Sequence, residues 1–221
     1  RNQALPIDDR VVERVNAALA GRPDLMGNRT SLTLADGMTG MTENVFLNIK
    51  NRSKTITAEV EVPDNGGHGA VLVQGGRFGG WALYVKDGVP AYDYNFLGLE
   101  RFTVAAAEKL KPGKSTLRFE FDYEGGGVGK GGLGKLYVND RQVAEGRIGR
   151  TQPMIFSADE TADVGIDLAT PVVEAIGAEA TSRFTGKVNK VTIEVAPMKQ
   201  AAKAEAGAVQ QQLAKRKALA D

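Results

Sequence analysis

Between Leu117 and Glu124 the chain alternates without a break: Leu117, Phe119, Phe121 and Tyr123 are large and apolar, while Arg118, Glu120, Asp122 and Glu124 are charged. Successive side chains on a strand point to opposite faces, so this order places all four apolar groups on one face. On a helix the same residues would scatter around the axis. The stretch therefore demands a sheet with one dry and one wet face, as antiparallel architectures have. Lys54 to Val62 repeats the demand, with Ile56, Ala58, Val60 and Val62 against Thr55, Thr57, Glu59 and Glu61. Gln74 to Val104 adds a hairpin. It holds the only tryptophan, Trp81, together with Tyr84, Tyr92, Tyr94, Phe78, Phe96 and Phe102. Trp81–Val85 and Ala91–Phe96 are its arms, and Asp87-Gly88 is a turn dipeptide. The glycines before Trp81 let the backbone approach a neighbouring strand or a ligand.

The other segments fit around these. A helix is expected in residues 1–21, with Asp8 or Asp9 as its cap, Val12, Val15 and Leu19 at helical spacing and Gly21 at its end. Ser31–Leu34 reads as a short strand, Gly37–Glu43 as loop, and Ala70–Val73 as a short buried strand. Gly125–Gly134 reads as a glycine-dense loop before a strand at Lys135–Val138. Asn139-Asp140 turns the chain into Gln142–Ile148, and Gln152–Phe156 reads as a further strand. Ser157–Ala180 is an acidic loop, and Phe184–Val195 closes the sheet with Val191, Ile193 and Val195 on one face. Many short strands without alternating helices predict an all-β antiparallel sandwich. Three regions follow: a connecting segment with a helix at 1–44, the sandwich at 45–196, and a helical tail at 197–221 rich in Ala, Gln and Lys. Pro197 suits a first helical turn, and the apolar face of Met198, Ala202, Val209 and Leu213 is thin.

Bulk properties narrow the function. With 28 basic and 27 acidic residues, the chain lacks the cationic excess of a nucleic-acid or membrane-surface partner. No apolar run approaches the roughly 18 to 20 residues of a membrane span. The absence of cysteine excludes disulfides, thiolate metal sites and cysteine nucleophiles, and leaves the compartment open. The chain begins at Arg1 without a methionine, which reads as a fragment or processed product.

Each chemical motif meets a plainer alternative. Glu124–Gly134 resembles a phosphate-binding loop in glycine content only: Gly131 follows Lys130 where Ser or Thr is needed, and a strand follows where a helix is needed. Asp159, Glu160, Asp163 and Asp167 offer the oxygen ligands that Ca²⁺ prefers, but not at EF-hand spacing. His68, the only histidine, has no partner for zinc or a Ser–His relay. Asn28-Arg29-Thr30 and Asn51-Arg52-Ser53 match the glycosylation pattern, which is common by chance. Trp81 and the hairpin tyrosines suit either sandwich core or a sugar-stacking platform. Arg77 and Arg101 suit an anion, an ion pair with Glu100 or Asp93, or a contact with another domain. Arg77, Phe78, Trp81, Asn95, Glu100 and Arg101 are the interface or ligand candidates, and no catalytic group accompanies them.

Several segments resemble the C-terminal region of large bacterial arylsulfatases: Ala20–Leu25, Asn48–Ser53, Ile56–Val60, Gln74–Trp81, Tyr94–Arg101, Phe156–Glu160 and Phe184–Lys187. The resemblance implies a jelly-roll sandwich of laminin-G or concanavalin type that packs on a sulfatase catalytic domain, and the hairpin's exposed end, around Arg77 and from Asn95 to Arg101, is expected to meet that domain. It also implies that sulfate ester hydrolysis, its formylglycine nucleophile and its Ca²⁺ belong to that partner domain. The motif that yields formylglycine is missing from this chain, so the resemblance carries over no catalytic residue and no cofactor. The alternatives are a self-standing glycan-binding module of lectin type and a structural role in which the tail helix mediates oligomerisation.

Overall fold

The computed structural model describes residue 23 and residues 25–220. The helix expected at 1–21 lies outside the described residues. The strands are β1 (Ser31–Leu34), β2 (Lys54–Val62), β3 (Gly69–Gly76), β4 (Gly79–Lys86), β5 (Val89–Phe96), β6 (Glu100–Ala105), β7 (Gly113–Tyr123), β8 (Lys130–Val138), β9 (Arg141–Arg150), β10 (Ala162–Val164) and β11 (Lys187–Val195). A helix, α1, spans Gln200–Ala220. One sheet has the order β1-β11-β2-β7-β8-β9 and the other β10-β3-β4-β5-β6, with every ladder antiparallel. β1 falls within the 1–44 segment yet forms an edge of the larger sheet, paired with β11.

The alternations read from the sequence become the two inner faces. Ile56, Ala58 and Val60 on β2 and Leu117 and Phe119 on β7 are buried against Trp81, Leu83, Tyr92 and Tyr94 on β4 and β5. Tyr92 and Phe119 belong to opposite sheets, and their rings stack 3.5 Å apart at an interplanar angle of 6°. Full burial of such rings contributes about 1.5–3 kcal/mol each. The hairpin forms as expected: Lys86 faces Val89 across Asp87 and Gly88, whose φ angles of 51° and 88° define the two-residue turn that matches strand twist. Lys54 also points inward, its amine 4.8 Å from the Phe121 ring centre and 5.9 Å from that of Tyr94. Burial lowers its pKa to about 7.

Three sequence expectations need correction. The Gly125–Gly134 segment is loop only to Gly129, because β8 begins at Lys130 and pairs with both β7 and β9. Its glycines are there for close packing. A Cβ at Gly132 would lie 2.8 Å from the Phe121 ring, and one at Gly134 would lie 2.8 Å from the Phe119 ring. Gln152–Phe156 forms no ladder; it is a loop whose Gln152 side chain occupies the space above Gly79. The acidic loop contains β10, which pairs with β3, and two 3₁₀ turns at Glu174–Ile176 and Glu179–Ser182. Val172, Val173 and Ile176 from this segment cover the outer face of the smaller sheet over Ala70, Val73, Ala82 and Ala91.

The tail helix is confirmed. It docks through buried Ala202 and through Glu205 accepting from the Val128 N–H (2.9 Å), and Lys199, just before its first residue, donates its amine to the Tyr123 carbonyl (2.5 Å). No helix among the described residues is long and apolar enough to cross a membrane. We expect Gly132→Ala to collide with the Asp122 backbone carbonyl as well as the Phe121 ring and cost about 1–3 kcal/mol or more, as overpacking does. In urea unfolding this reads as a lower midpoint at unchanged slope.

Candidate functional site

Two turns stand together at one end of the smaller sheet. Arg77 and Phe78 join β3 to β4, and Leu97, Gly98 and Leu99 join β5 to β6. Asn95, fully buried on β5, ties them to each other. Its Nδ2 donates to the carbonyls of Gly76 and Arg77, both at 2.9 Å, and its Oδ1 accepts from the Gly98 N–H at 2.9 Å. Gly98 is needed here: its φ is 71°, and a Cβ would sit 3.1 Å from the Arg77 carbonyl. The glycines that flank Arg77-Phe78 serve their neighbours. A Cβ at Gly76 would meet Glu160 and Thr170, and one at Gly79 would meet Gln152.

This bracing presents an apolar group to solvent. Phe78 is 74% exposed, Leu99 75% and Leu97 46%. Leu97 has φ 55°, a left-handed conformation that costs a side chain such as leucine about 1–2 kcal/mol. Apolar exposure and backbone strain at one turn both run against stability, and strain of this kind gathers at functional sites. Charges frame the group. Arg77 is exposed, Glu100 pairs with Arg150, and the Arg150 guanidinium lies 4.4 Å from the Phe96 ring centre. Arg101 bonds Glu174 at 2.6 Å and also the Val172 carbonyl.

Of the six candidates, Arg77, Phe78, Asn95, Glu100 and Arg101 thus converge on one end of the sheet, with Asn95 acting as brace beneath the surface. Trp81 does not join them at the surface. It is fully enclosed, and its indole N–H donates to the Gln74 carboxamide at 3.0 Å. Tyr92 and Tyr94 are likewise core, which removes them from any sugar-stacking platform. Leu97, Leu99 and Arg150 join the site without being among the six candidates. The available signal was a Leu-Gly-Leu turn, where polar residues are the rule.

The four acidic metal candidates do not assemble into a ligand set. Asp163 accepts from the Gly40 N–H at 2.7 Å, and Asp167 accepts from the Val172 N–H at 2.8 Å. Glu160 accepts from the Thr170 hydroxyl at 2.6 Å, while Asp159 is exposed. Among the described residues no three His, Asp or Glu side chains are grouped to hold a metal ion. The carboxylates of Glu160, Asp163 and Asp167 brace the covering segment instead. Asp167 is fully buried with one carboxylate oxygen unbonded, and burial raises its pKa to about 7. Asn51 is also unavailable for glycosylation, since its buried carboxamide bonds Pro153 and Gly129.

No protein-family model matches the chain, and no curated protein sequence does. Solved structures do. The CBM40 carbohydrate-binding module of the Ruminococcus gnavus IT-sialidase, bound to α2,3-sialyllactose, superposes with TM-score 0.50 at 14% identity, covering 76% of this chain and 92% of that one. The same module without the sugar gives the same figures. The LG1–3 region of the laminin α2 chain aligns at TM-score 0.44 and 13% identity over 75% of this chain and 29% of that one. The fold is therefore an antiparallel β-sandwich like that of the CBM40 module. None of these three structures is a sulfatase.

Two outcomes test this description. Asn95→Ala removes three hydrogen bonds inside the protein and leaves three backbone groups seeking partners, so it should lower stability by about 2–3 kcal/mol. Chemical denaturation reads that loss, and new exchange-broadened amide signals should be confined to residues 76–80 and 95–100. Asp167 holds its proton longer in the folded state than when unfolded. Its contribution is full below about pH 4 and is lost as pH rises towards 7. The stability of Asp167→Asn relative to the natural protein should therefore climb between about pH 4 and 7 and then level off, as read by melting temperature.

Proposed function

We propose that this chain is a glycan-binding β-sandwich module whose ligand rests on the paired turns at the Arg77–Phe78 end. The observation that carries the reading is Phe78. Its ring is displayed on a turn braced by a buried asparagine, whereas Trp81, Tyr92 and Tyr94 of the same hairpin are enclosed in the core. An exposed rigid ring offers a sugar's C–H face a stacking surface at little entropic cost. Arg77 and the Arg150–Glu100 pair stand beside it with donors and acceptors for hydroxyl or carboxylate groups. A module of the same fold binds a sialylated sugar, which supports the reading without assigning a ligand to this chain. Neither the site nor the reading calls for a catalytic group.

A second reading is supported by Leu97 and Leu99. Two exposed leucines beside Phe78 make the group more apolar than a sugar requires, as a protein contact would be. That contact would be with a neighbouring catalytic domain, as the arylsulfatase resemblance implies.

A glycan array bearing neutral, sialylated and sulfated sugars decides between the readings. Saturable binding to a glycan, weakened at least tenfold in Phe78→Ala with an unchanged melting temperature, is the expected result. Unchanged affinity in Phe78→Ala would move the site elsewhere, and no binding to any glycan would leave only the protein-contact reading.

A further inference from the structure

The opposite end of the smaller sheet has a different chemistry. There the β6–β7 connection, residues 106–112, arches beside the β8–β9 turn and encloses a cleft of about 440 Å³. Its polar lining consists of Lys109, Lys111, Arg141, Ser115 and Asn139, with Glu108 as the one carboxylate. The connection is fixed in place: the Ala106 N–H donates to the Pro90 carbonyl at 3.0 Å, the Leu110 N–H donates to the Gly88 carbonyl at 2.8 Å, and Leu110 is buried. Lys109 and Lys111 flank that buried anchor and are both exposed. The stem of Lys109 lies against Gly88, where a Cβ would come within 3.1 Å of it.

The donors are oriented as well as gathered. Asn139 and Asp140 adopt φ angles of 49° and 64°, giving a tight turn in which Val138 faces Arg141. The Asn139 Oδ1 accepts from the Thr116 N–H at 2.8 Å, which leaves its NH₂ as the free polar group. Arg141 pairs with Glu108 at 3.2 Å, and both are exposed, so that pair is weak. Neither lysine forms an ion pair among the described residues. Three cations therefore face one carboxylate in a protein whose overall charge is only +1. A cleft whose unmatched groups are nearly all donors is complementary to a ligand rich in acceptors and negative charge.

We propose that this cleft is a binding site for an oxyanion group, a sulfate, phosphate or carboxylate, held between Lys109, Lys111 and Arg141 with Ser115 and Asn139 as neutral donors. The site is separate from the paired turns and does not depend on what they bind. The shared chemistry is the oxyanion; its source is either a free ion or an anionic group on a sugar.

The test uses the full chain at constant ionic strength, titrated with sodium sulfate, sodium phosphate and a monosulfated disaccharide, with lactose and chloride as controls. Amide signals of Leu110, Ser115 and Asn139 are followed by NMR. Saturable shifts are expected with at least one oxyanion and with neither control, and Lys109→Gln/Lys111→Gln should weaken binding at least tenfold. Tighter binding of the disaccharide than of both salts assigns an anionic sugar as the source, and the reverse assigns a free ion. Both lysines are exposed, so the variant should fold normally, which an unchanged melting temperature verifies. Shifts that fail to saturate, or equal affinity in the variant, would overturn the proposal. Phe78→Ala should leave these shifts unaltered, which keeps the outcome separate from that of the glycan array.

Discussion

The stack of Tyr92 on Phe119 is the contact on which the two sheets depend. It joins β5 to β7 across the interior, and Trp81 and Phe46 extend it sideways, with ring centres 6.0 Å apart for Trp81–Tyr92 and 6.3 Å for Phe46–Trp81. Rings of this size need flat ground. β8 provides it at Gly132 and Gly134, where any side chain would push Phe121 or Phe119 out of place. On β9, Gly146 sits against Val104 and Gly149 against Phe102 of β6, so the last strands of the two sheets approach closely at that side. Aromatic bulk on one set of strands and glycine on the facing set are two halves of one packing solution.

With the interior set in this way, polar groups are admitted only where they brace something. Asn95 ties two turns, Gln74 accepts from the Trp81 N–H, and the Tyr94 hydroxyl accepts from the Gln152 backbone N–H at 2.7 Å. Lys54 is the costly exception, an amine held over aromatic rings with its pKa lowered by burial. Asp167 sits on the opposite face of the smaller sheet with its pKa shifted in the other direction. The ends of that sheet diverge in character. One carries rigid turns with exposed apolar groups, and the other carries a fixed arch with exposed cations. Hairpin topology produces this separation, because successive turns in an antiparallel sheet fall at alternate ends.

Much of the fold was legible in the residues. Strict alternation at Lys54–Val62 and Leu117–Tyr123 leaves only one face for a core, and Asp87-Gly88 between two apolar runs leaves only a hairpin. β8 was harder to see, because glycine carries no side chain with which to alternate. Its strand character comes from pairing on both sides with β7 and β9, a property of its neighbours. Gln152–Phe156 misled in the opposite way. Its apolar residues suit a strand, but Gln152 and Phe156 are claimed by Gly79 and Tyr94 from outside the segment. Of the candidate site, the exposure of the turns around Arg77 and from Leu97 to Arg101 was readable, whereas the burial of Asn95 beneath them was not.

The sequence by itself determined an all-β antiparallel sandwich, the central hairpin and the terminal helix, since each follows from local periodicity and turn chemistry. The tertiary structure alone decided which aromatics are core and which is offered to solvent. Trp81 and Phe78 stand three residues apart in the same hairpin, and nothing local distinguishes a ring that will be enclosed from one that will not. Burial is settled by the opposing sheet, and by the buried Asn95 that holds the Phe78 turn away from it.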